Sequence, residues 1–557
     1  MKYSKLFGKS IKGDVSDSKF PSHTLLTRGG FIAESTAGRF YFLPLGWRVH
    51  DKIKNIIKEE MDRAGGQEMI SPVLHPLELW KETNRTNTAG FELMTLADRR
   101  GAEFALGGTA EEMFVDVVRK QQLSYRDLPF TIYQFSTKFR DEMRSRGGLL
   151  RVREFVMKDA YSFSQDEAEF KIEYENMAKT YDRIYQRFGL ETLRVEADNG
   201  YIGGEYCHEY QVVHPEGEGK FFTSTKGDYC AHEDVAIFQH ESKNEDDEMA
   251  EYQTVEAKRG TTMEDGQKLH GLPMWQQLKD VMFSDEKGNL ILAIIRGDLD
   301  VNEAKLLHVS GAARLESATA EQIRAIGSEP GFISPVGLKG KVKIIADRSM
   351  RTVRNFYGGA NQLNLDALNM NIDRDFTADV EGDIALAQDG FLAEDGGVLV
   401  ANNGIEVGNI FQLGYHYTNL MKNAEFVGED GLRHPYYMGC YGIGLGRTLA
   451  TVVEKHHDDR GIIWPESIAP FRVHLASLPG REEDATALYE KLVERGIDVL
   501  WDDRQVSPGT KFADADLIGC PIRLVISQKT GDKIEWKNRS ESTVELIDEA
   551  ELLKRLI

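Results

Sequence analysis

The sequence of 557 residues predicts an α+β fold divided among several domains. Its length corresponds to three or four domains of about 150 residues each. Residues 131–163 hold two apolar, aromatic-rich runs on either side of a charged loop, which is the pattern of an antiparallel hairpin. Residues 471–527 show a βαβ alternation of strand and helix patterns, which is typical of a small α/β unit.

Composition restricts the class of protein. The hydrophobic content is 41%, and the longest aliphatic run, Leu290–Ile295, is far shorter than the roughly 18–20 residues of a membrane span, so we expect no membrane association. The N-terminus lacks the apolar segment of a secretory signal, and four cysteines are few for this length, so we expect a cytosolic protein. The net charge of −22 argues against non-specific adhesion to nucleic acid but allows a local basic surface.

The first clear element is a helix over residues 45–64. Its apolar residues recur at helical spacing, and Gly65 and Gly66 end the pattern. The strand-like segment Glu68–Pro72 follows. These segments predict a helix that is followed by a strand, although many amphipathic helix–strand pairs have the same pattern.

A glycine-containing loop before a predicted helix carries Thr109 and Glu111. A hydroxyl and a carboxylate at this spacing can face one small cationic group, such as the ammonium group of a substrate. The alternative is that Thr109 simply caps the helix, because threonine before acidic residues is favoured at a helix N-terminus. The residues alone leave both interpretations open.

The loop of the predicted hairpin carries a cluster of arginines around the turn at Arg146–Gly148. Guanidinium groups at one end of a rigid sheet form a fork-shaped binder for phosphates and carboxylates. The alternative is a solvated loop of mixed charge, in which surface ion pairs contribute only about 0–1 kcal/mol. The arginines are Arg140, Arg144, Arg146, Arg151 and Arg153.

Beyond the hairpin, Ser164–Glu167 has the pattern of a capping box that opens a helix. The helix carries an aromatic stripe, which we expect to be core, and Gly189 ends it. A strand-like segment over residues 203–212 then carries His208, and a lone histidine in a strand is more often structural than functional.

The middle of the chain has its own core pattern. The acidic stretch at residues 241–251 predicts a linker and a domain border. Leu290–Ile295 and Val342–Ala346 are predicted as buried strands, and Thr319–Ala325 as a short helix. An acidic, glycine-rich segment at residues 389–397 marks the end of this region of the chain.

Gly442, Gly444 and Gly446 form a glycine string before Arg447 and an apolar helix. The string fits a dinucleotide-binding fingerprint poorly, because the third glycine comes one residue too early and Arg447 follows where the turn would continue. Small residues at a helix start also let the backbone approach a phosphate, which is the interpretation we favour.

Taken in order, these segments resemble the class II aminoacyl-tRNA synthetases. The sequence of residues 153–163, REFVMKDAYSF, resembles the bacterial-type prolyl members of that class in particular. The segments that carry the resemblance are Phe139–Glu142 with Arg151–Phe155 and Asp159 for motif 2, residues 45–72 for motif 1, residues 438–447 for motif 3, and residues 502–504 and 509–519 for the anticodon-binding domain.

The resemblance implies a class II synthetase antiparallel sheet core with an inserted α/β editing domain and a C-terminal α/β (βαβ) anticodon-binding domain. The insertion lies between motifs 2 and 3 in the bacterial-type prolyl enzymes. The expected boundaries are 1–238 for the first part of the catalytic domain, 239–400 for the insertion, 401–468 for the second part of the catalytic domain and 469–557 for the anticodon-binding domain.

The implied reaction is ATP-dependent attachment of L-proline to proline tRNA through a prolyl-adenylate, with release of AMP and pyrophosphate. Mg²⁺ would share the phosphate charge. A homodimer is implied, because motif 1 forms the dimer interface in this class. We expect no zinc, since the four scattered cysteines have no zinc-ligand spacing.

The resemblance also implies roles for individual residues. Arg140 would bridge ATP and the amino-acid carboxylate, and it is the candidate catalytic residue. The ATP-binding residues would be Arg140, Glu142, Arg151, Phe155, Gln412 and Arg447. The proline-binding residues would be Thr109, Glu111, Arg140, His208 and Cys440.

The insertion implies hydrolytic editing of mischarged alanyl-tRNA, because each methylene missing from a substrate is worth only about 1–3 kcal/mol of discrimination. Lys279 falls near the position of an editing lysine in the family, although a solvated surface lysine would look the same. Asp366 stands where the family has its second editing-site histidine, and Asn409 replaces another usual histidine. The editing candidates are therefore Lys279 and Asp366.

Arg504, Lys511 and Phe512 are candidates for anticodon contacts, since splayed bases favour aromatic stacking and hydrogen bonds from Arg or Lys. Two alternatives to the prolyl enzyme remain. A synthetase-like binding module would have lost catalysis, yet such modules usually lose the ATP contacts that are present here. A sister synthetase for threonine or histidine is the other, and the threonyl enzyme needs zinc ligands that this sequence does not supply.

Overall fold

The computed structural model describes residues 1–11, 13, 19–86, 93–227 and 229–556. It divides into two compact units. The first unit comprises Met1–Leu193, Asn199–Glu216 and Ile405–Ile557, and the second comprises Arg194–Asp198 and Gly217–Gly404. None of the helices in the described ranges is long and apolar enough to cross a membrane.

Helices occur in both units and are numbered along the chain. They are α1 (Pro21–Arg28), α2 (Pro44–Arg63), α3 (Leu77–Glu82), α4 (Glu111–Arg119), α5 (Glu167–Arg187), α6 (Met263–His270), α7 (Glu303–Ser310), α8 (Ala320–Ala325), α9 (His416–Leu420), α10 (Leu445–Lys455), α11 (Glu482–Glu494), α12 (Pro508–Ile518) and α13 (Glu549–Leu556). The longest are α2 and α5, with 20 and 21 residues.

Strands are numbered in the same way. The strands up to residue 213 are β1 (Ile32–Thr36), β2 (Arg39–Phe42), β3 (Gln67–Glu68), β4 (Leu74–Pro76), β5 (Met94–Ala97), β6 (Glu103–Leu106), β7 (Phe130–Phe139), β8 (Glu154–Ser164), β9 (Leu193–Ala197) and β10 (Tyr206–Val213). Those up to residue 414 are β11 (Gly219–Ser224), β12 (Cys230–His232), β13 (Gln253–Glu256), β14 (Leu278–Asp285), β15 (Leu290–Arg296), β16 (Leu315–Ser317), β17 (Lys343–Asp347), β18 (Phe356–Gly359), β19 (Leu365–Met370), β20 (Val380–Gly382) and β21 (Leu399–Gly414). The last are β22 (Glu425–Val427), β23 (Arg433–Pro435), β24 (Tyr437–Gly444), β25 (His457–Asp458), β26 (Gly461–Ile462), β27 (Val473–Ser477), β28 (Val499–Asp502), β29 (Ile522–Ile526), β30 (Ile534–Asn538) and β31 (Glu545–Ile547).

The first unit is built around an antiparallel sheet. Strands β7, β8, β24 and β21 lie side by side in that order, and the short β3 runs parallel to β7. Phe130 of β7 lies opposite Phe163 of β8, and Tyr161 of β8 lies opposite Cys440 of β24. The predicted hairpin is therefore confirmed as β7 and β8, and only the short β3 lies beyond β7 in the sheet.

Helices α5 and α10 pack on β8 and β24, and α2 packs on both helices. Ile53 and Met61 of α2 and Tyr181 and Tyr185 of α5 are buried in one hydrophobic core. This packing confirms the helix predicted at residues 45–64 and the core role of the aromatic stripe. Apolar residues at helical spacing form one face of each helix, and that face is buried.

Two local predictions are wrong. The strand expected at residues 68–72 is limited to β3, because the chain leaves the sheet before Pro72, which has no backbone donor. The capping box expected at Ser164 is displaced, since Ser164 still belongs to β8. Asp166 caps α5 instead, with its side chain accepting a hydrogen bond from the backbone of Glu169.

The C-terminal part of the first unit contains a second sheet, with strands in the order β28, β27, β29, β30 and β31. Strand β27 runs parallel to β28 and β29, and α11 packs on β27 and β28, which confirms the predicted βαβ alternation. The sequence analysis missed α12. Its signals are visible in hindsight: Ser507 caps it, Pro508 begins it and Gly519 ends it in the left-handed conformation.

The second unit contains a five-stranded sheet, in the order β16, β14, β15, β17 and β20, and a three-stranded sheet of β13, β19 and β18. Side chains from both sheets share one hydrophobic core, including Leu278 and Ile294 from the first and Phe356 and Met370 from the second. The strands predicted at residues 290–295 and 342–346 are confirmed as β15 and β17.

The acidic stretch at residues 241–251 lies inside the second unit. The carbonyl of Glu241 accepts a hydrogen bond from Arg296, and the side chain of Asn244 accepts one from the backbone of Arg354. These contacts tie the stretch to the unit, so it is not a free linker. The segment Gly217–Gly404 of the second unit includes this stretch.

Candidate active site

A cleft of about 550 Å³ opens in the first unit, against β8, β21, β24 and the start of α10. Five of the six candidate ATP-binding residues line it, which are Arg140, Glu142, Arg151, Phe155 and Arg447. They come from segments up to 307 positions apart in the sequence, and the sheet brings them together. Gln412 is absent from this lining set, because its amide donates to Glu205 and to the Tyr437 hydroxyl.

The arginines of the cleft are oriented by specific partners. Arg151 donates to one oxygen of Glu142 through Nε at 3.0 Å and Nη2 at 2.7 Å, and its side chain is 44% exposed. Arg140 donates to the carbonyl of Gly108 at 3.3 Å, and its guanidinium lies 5.4 Å from the centre of the Phe155 ring. These side chains therefore present positive charge beside the aromatic ring of Phe155, which also lines the cleft.

Arg447 lies in the first turn of α10, whose N-cap is Gly444. Its Nε donates to the carbonyl of Leu150 at 2.7 Å, and its Nη1 donates to Glu406 at 3.1 Å. The positive end of a helix dipole and a guanidinium thus meet in the same wall of the cleft. Gly442 and Gly444 also line the cleft, as expected for small residues that let a ligand approach the backbone.

The sequence analysis missed Glu406, which lines the cleft together with Asn409. Asn409 donates to Glu406 at 3.0 Å and so orients that carboxylate. Glu142 and Glu406 both offer hard carboxylate oxygens to the cleft, which is the donor type that Mg²⁺ prefers. The donor set thus fits Mg²⁺. The phrase Glu406-Val-Gly-Asn409 was the signal that could have revealed the pair.

A second group of predicted residues meets at Glu111. The Thr109 hydroxyl donates to the Glu111 carboxylate at 2.7 Å, and the Cys440 thiol donates to it at 3.2 Å. Arg85 pairs with Glu111 at 3.2 Å and with Glu112 at 2.8 Å. Thr109 does not cap α4, because the N-cap is Ala110 and has no side-chain hydrogen bond. The carboxylate interpretation of Thr109 is therefore favoured over the cap.

The two neighbouring glutamates differ in charge. Burial alone would raise the pKa of Glu111, but the charge of Arg85 and the hydrogen bond from Thr109 outweigh it and hold that pKa below the usual range. Burial also raises the pKa of Glu112, and the adjacent Glu111 charge adds to this effect. The pair thus keeps one negative charge on Glu111, at the side chain that Thr109 and Cys440 contact.

A buried network under the sheet positions the Thr109–Glu111 loop. Asp159 of β8 accepts from Lys138 at 2.9 Å and from the Tyr161 hydroxyl at 3.1 Å. The same Tyr161 hydroxyl accepts from the backbone of Ala110 at 3.0 Å. The motif 2 strand therefore holds the loop that carries Glu111.

His208 lies on β10, as expected for a strand residue. Its ring nitrogens lie 2.8 Å from the Tyr174 hydroxyl and 2.9 Å from the Tyr206 hydroxyl. These contacts fix the imidazole within the aromatic layer. A direct contact of His208 with proline stays a prediction.

The two editing candidates have separate partners in the second unit. Lys279 donates to the carbonyl of Leu299 and to Asp300, both at 2.7 Å. Asp366 is fully buried and pairs with Arg259 at 2.7 Å and His270 at 2.8 Å. Lys279 is thus more firmly held than a solvated surface lysine would be. Its role in hydrolysis stays a prediction.

One group of potential metal ligands occurs within the described parts of the chain. Ligand atoms of His240, Asp347 and Asp383 lie within 4.8 Å of one another. The ammonium of Lys305 donates to Asp383 at 2.8 Å, and Asp347 accepts hydrogen bonds from the backbone of Ser349 and Ile384. The protein therefore already supplies a cation and donors to these carboxylates.

The three anticodon candidates are engaged within their own domain. Arg504 pairs with Asp502 and Asp514, both at 2.7 Å, and lies 3.8 Å from the centre of the Tyr3 ring. Lys511 is buried and donates to the carbonyls of Ser477 and Asp502. This geometry argues against base contacts by Lys511, because its ammonium would have to leave both acceptors. Phe512 lies under the guanidinium of Arg523, at 4.6 Å.

Comparisons with known proteins agree with this geometry. The family described as "tRNA synthetase class II core domain (G, H, P, S and T)" matches residues 91–456, and "Anticodon binding domain" matches residues 472–557. Relatives named proline–tRNA ligase are 42% identical in Sulfurihydrogenibium sp. (strain YO3AOP1) and in Exiguobacterium sibiricum, and 40% identical in Dehalococcoides mccartyi (strain CBDB1). The matches cover 100% of this chain in each case, and 99%, 98% and 98% of the relatives.

A solved structure has a similar fold. It is described as Giardia lamblia prolyl-tRNA synthetase in complex with prolyl-adenylate, with a TM-score of 0.56 and 14% sequence identity. The similarity covers 95% of this chain and 74% of that chain. With sequence relatives at 40–42% identity over the full length, the chain belongs to the proline–tRNA ligases, which are class II aminoacyl-tRNA synthetases.

Proposed function

We propose that this chain joins L-proline to ATP as prolyl-adenylate in the cleft of the first unit and then transfers the prolyl group to proline tRNA. The observation that carries the proposal is the meeting of Arg140, Glu142, Arg151, Phe155 and Arg447 in one cleft of the first unit. The negatively charged Glu111 lies in the same unit, on a loop that the motif 2 strand holds in place.

In the first step, the proline carboxylate attacks the α-phosphate of ATP, a P–O bond forms and pyrophosphate leaves. Both reactants are anions, so the site must hold them in line and neutralise their charge. Arg140, between the Gly108 carbonyl and the Phe155 ring, can contact both groups. Arg151 faces the distal phosphates, while Phe155 and Arg447 hold opposite faces of the adenine. Mg²⁺, held by Glu142 and Glu406, would stabilise charge on the phosphates.

Glu111 recognises the cationic ring nitrogen of proline. It is ionised and buried, so a charge-assisted hydrogen bond to a ring N–H is strong. In the second step, a hydroxyl of the terminal ribose of tRNA attacks the prolyl carbonyl, an ester forms and AMP leaves. The adenylate is already activated, so this step requires no additional nucleophilic side chain.

The test is ATP–pyrophosphate exchange, measured with each of the twenty standard amino acids. Proline should drive exchange best, and Arg140→Ala should abolish it. Arg100→Ala is the matched control, because Arg100 is 90% exposed and lies outside the cleft-lining residues. Absence of exchange with every amino acid, from folded protein that still binds tRNA, would favour a non-catalytic binding module.

The second unit is an editing domain that hydrolyses alanyl-tRNA. Proline exceeds alanine by two methylenes, and a pocket rejects a smaller substrate by only about 1–3 kcal/mol per methylene, so a separate hydrolytic site serves accuracy. The test compares alanyl-tRNA hydrolysis by the native chain and by Lys279→Ala. Lys287→Ala is the control, since Lys287 belongs to the same unit and is 76% exposed. Equal rates for native chain and Lys279→Ala would remove Lys279 from the reaction.

The chain acts as a homodimer in the cytosol. Exposed apolar side chains after β3 support the dimer, and Ile70 is 75% exposed with Val73 and Leu74 nearby. Within the described residues, the four cysteines form no disulfide, which suits a reducing compartment. Sedimentation of the purified chain tests the dimer, and Ile70→Lys should shift it toward monomer. Fractionation of cells that express the chain tests the location.

A further inference from the structure

The second unit contains a buried carboxylate with two nitrogen-bearing partners. Asp366 on β19 has no exposed surface. Arg259 donates to one of its oxygens through Nε and to the other through Nη2, each at 2.7 Å. His270 contacts the first of these oxygens through Nε2 at 2.8 Å. The three side chains therefore form one connected cluster.

Local structure fixes where the imidazole stands. His270 is the last residue of α6, which begins with a capping box between Thr262 and Asp265 and ends at Gly271 in the left-handed conformation. The helix thus cannot slide along its axis without losing both ends. The carbonyl end of a helix favours positive charge, so this position stabilises an imidazolium when it forms.

Arg259 is fixed as well. It donates to the carbonyl of Gly331 at 3.2 Å, and its guanidinium lies 4.4 Å from the centre of the Phe332 ring. Both oxygens of Asp366 accept hydrogen bonds from this guanidinium, which can only donate. His270 is the member of this cluster whose neutral ring has one donor and one acceptor nitrogen.

The contact with Asp366 also sets the tautomer of His270. An ionised carboxylate only accepts, so Nε2 carries the proton and Nδ1 keeps its lone pair. Within the described residues, the hydrogen bond of the His270 side chain runs through Nε2 and leaves Nδ1 as the second ring nitrogen, and the imidazole side chain is 9% exposed. The groups that face the ring are Asp366, Arg259 and Tyr357, whose ring centre is 5.3 Å away. Burial raises the pKa of Tyr357 to about 12, so that phenol stays protonated.

We propose that His270, oriented by Asp366, is the general base of a hydrolytic site in the second unit that acts on the ester between a small amino acid and the terminal ribose of tRNA. The inference rests on the proposed editing function and names the residue that activates water. An imidazole whose far nitrogen is held by a carboxylate is the arrangement used by hydrolases to take a proton from an attacking oxygen. Asp366 is then a positioning residue.

The reaction balances without any co-reactant. Nδ1 of His270 takes a proton from water, and the water oxygen forms a bond to the ester carbonyl carbon. The bond between that carbon and the ribose oxygen then breaks, and the ribose oxygen receives the proton from Nδ1. The products are the free amino acid and the free tRNA. Asp366 keeps its hydrogen bond to Nε2 of the imidazolium during the step.

The decisive variant is His270→Gln, tested in the full-length chain with alanyl-tRNA as substrate. Glutamine can still donate a hydrogen bond to Asp366, which preserves the contact between α6 and β19, but it cannot take a proton. Hydrolysis should fall by about 100-fold or more. The native rate should depend on pH through this base, and the residual rate of the variant should lose that dependence.

Two controls separate chemistry from structure. His308→Gln changes a histidine that is 62% exposed and contacts Asp198, and it should hydrolyse alanyl-tRNA at the native rate. Thermal unfolding should show that His270→Gln folds as the native chain does, and if it does not, His270→Asn takes its place. Asp366→Asn should lower hydrolysis as well, because an amide donor would move the proton of His270 to Nδ1.

The outcomes distinguish this inference from the editing proposal. Native hydrolysis that persists unchanged in His270→Gln, with the same pH profile, overturns the role of His270 and leaves editing intact. A native chain that charges tRNA with proline but does not hydrolyse alanyl-tRNA overturns the editing proposal itself, and His270 with it.

Discussion

Glu111 in the first unit and Asp366 in the second are both fully buried carboxylates that pair with an arginine, yet their remaining partners differ. The other contacts of Glu111 are the hydroxyl of Thr109 and the thiol of Cys440, which are neutral. The third partner of Asp366 is the imidazole of His270. Under our proposals, the first carboxylate recognises a cationic ligand, whereas the second orients an imidazole.

The comparison teaches that a buried ion pair alone does not define a function. Transfer of two charges out of water costs several kcal/mol per ion, and their attraction offsets that cost only with good geometry and further hydrogen bonds. The two sites differ in these further hydrogen bonds. Neutral donors leave room for a substrate ammonium, and an imidazole converts the same carboxylate into a positioning group.

The largest effect is expected for Arg259→Met, which leaves the charge of Asp366 buried without its cation. Breaking a buried pair on one side costs about 3–5 kcal/mol. Urea unfolding of the purified chain should show the loss as a lower midpoint for the second unit. The double variant Arg259→Met with Asp366→Leu should recover most of it, because neither charge is then stranded. A single variant as stable as the native chain would contradict the buried pair.

Glu111→Gln should lower kcat/KM for proline in ATP–pyrophosphate exchange by about 100-fold, or about 2.8 kcal/mol. The reason is the loss of a buried negative charge that faces the ring ammonium. Alanyl-tRNA hydrolysis should not change, since Glu111 belongs to the other unit. Glu103→Gln is the control, because Glu103 is 57% exposed. Equal loss in both variants would remove Glu111 from substrate recognition.

Lys158 is a third buried ionisable group that can be compared with Glu111 and Asp366. Its amine donates to two neutral acceptors, the Tyr181 hydroxyl and the Tyr441 carbonyl. Burial lowers the pKa of Lys158 to about 7, despite nearby Cys440 and Asp159. The folded pKa lies below the unfolded value, so the unfolded chain binds more protons above pH 7, and stability rises with pH.

That rise should be about 2 kcal/mol between pH 7 and pH 9. Lys158→Met should remove this part of the pH dependence, and denaturant unfolding at several pH values measures it. Lys171→Met is a suitable control, since Lys171 is 65% exposed and pairs with Glu167 on the surface of α5. If the unfolding free energy rises equally with pH in the native chain and in Lys158→Met, the buried amine of Lys158 is not neutral as inferred.

The smallest effect is expected for Arg351→Met. Arg351 pairs with Asp373 and Glu381, just as Arg259 pairs with Asp366, but its side chain is 46% exposed. Exposed pairs contribute about 0–1 kcal/mol, so the unfolding midpoint should shift far less than for Arg259→Met. Shifts of similar size in the two variants would show that burial is not what separates these pairs.

Local patterns predicted much of the fold. The hairpin of β7 and β8, the helix α2 and the aromatic stripe of α5 each follow from periodicity within a short window. The errors also have local causes. The cap of α5 moved from Ser164 to Asp166 because the pairing of β8 with β24 extends the strand through Ser164, and no local pattern reports a partner strand.

The candidate site was predicted only in part. Arg140, Glu142, Arg151, Phe155 and Arg447 carry a motif, and the structure places them in one cleft. Arg85 carries no pattern that separates it from a surface residue, and Glu406 meets its partner Arg447 only in the folded chain. Lys511 is the opposite case, because its sequence segment resembles an anticodon-binding motif but its ammonium is buried against two backbone carbonyls.

The sequence by itself predicted the class of protein, an order of domains and a set of candidate site residues, because motifs and periodicities act over short distances along the chain. Only the tertiary structure decided which charges are paired and which remain available to a substrate. Asp366 and His270 are 96 positions apart, and Cys440 and Glu111 are 329 apart. Such contacts depend on how whole elements pack, and burial then sets the strength of each charge interaction.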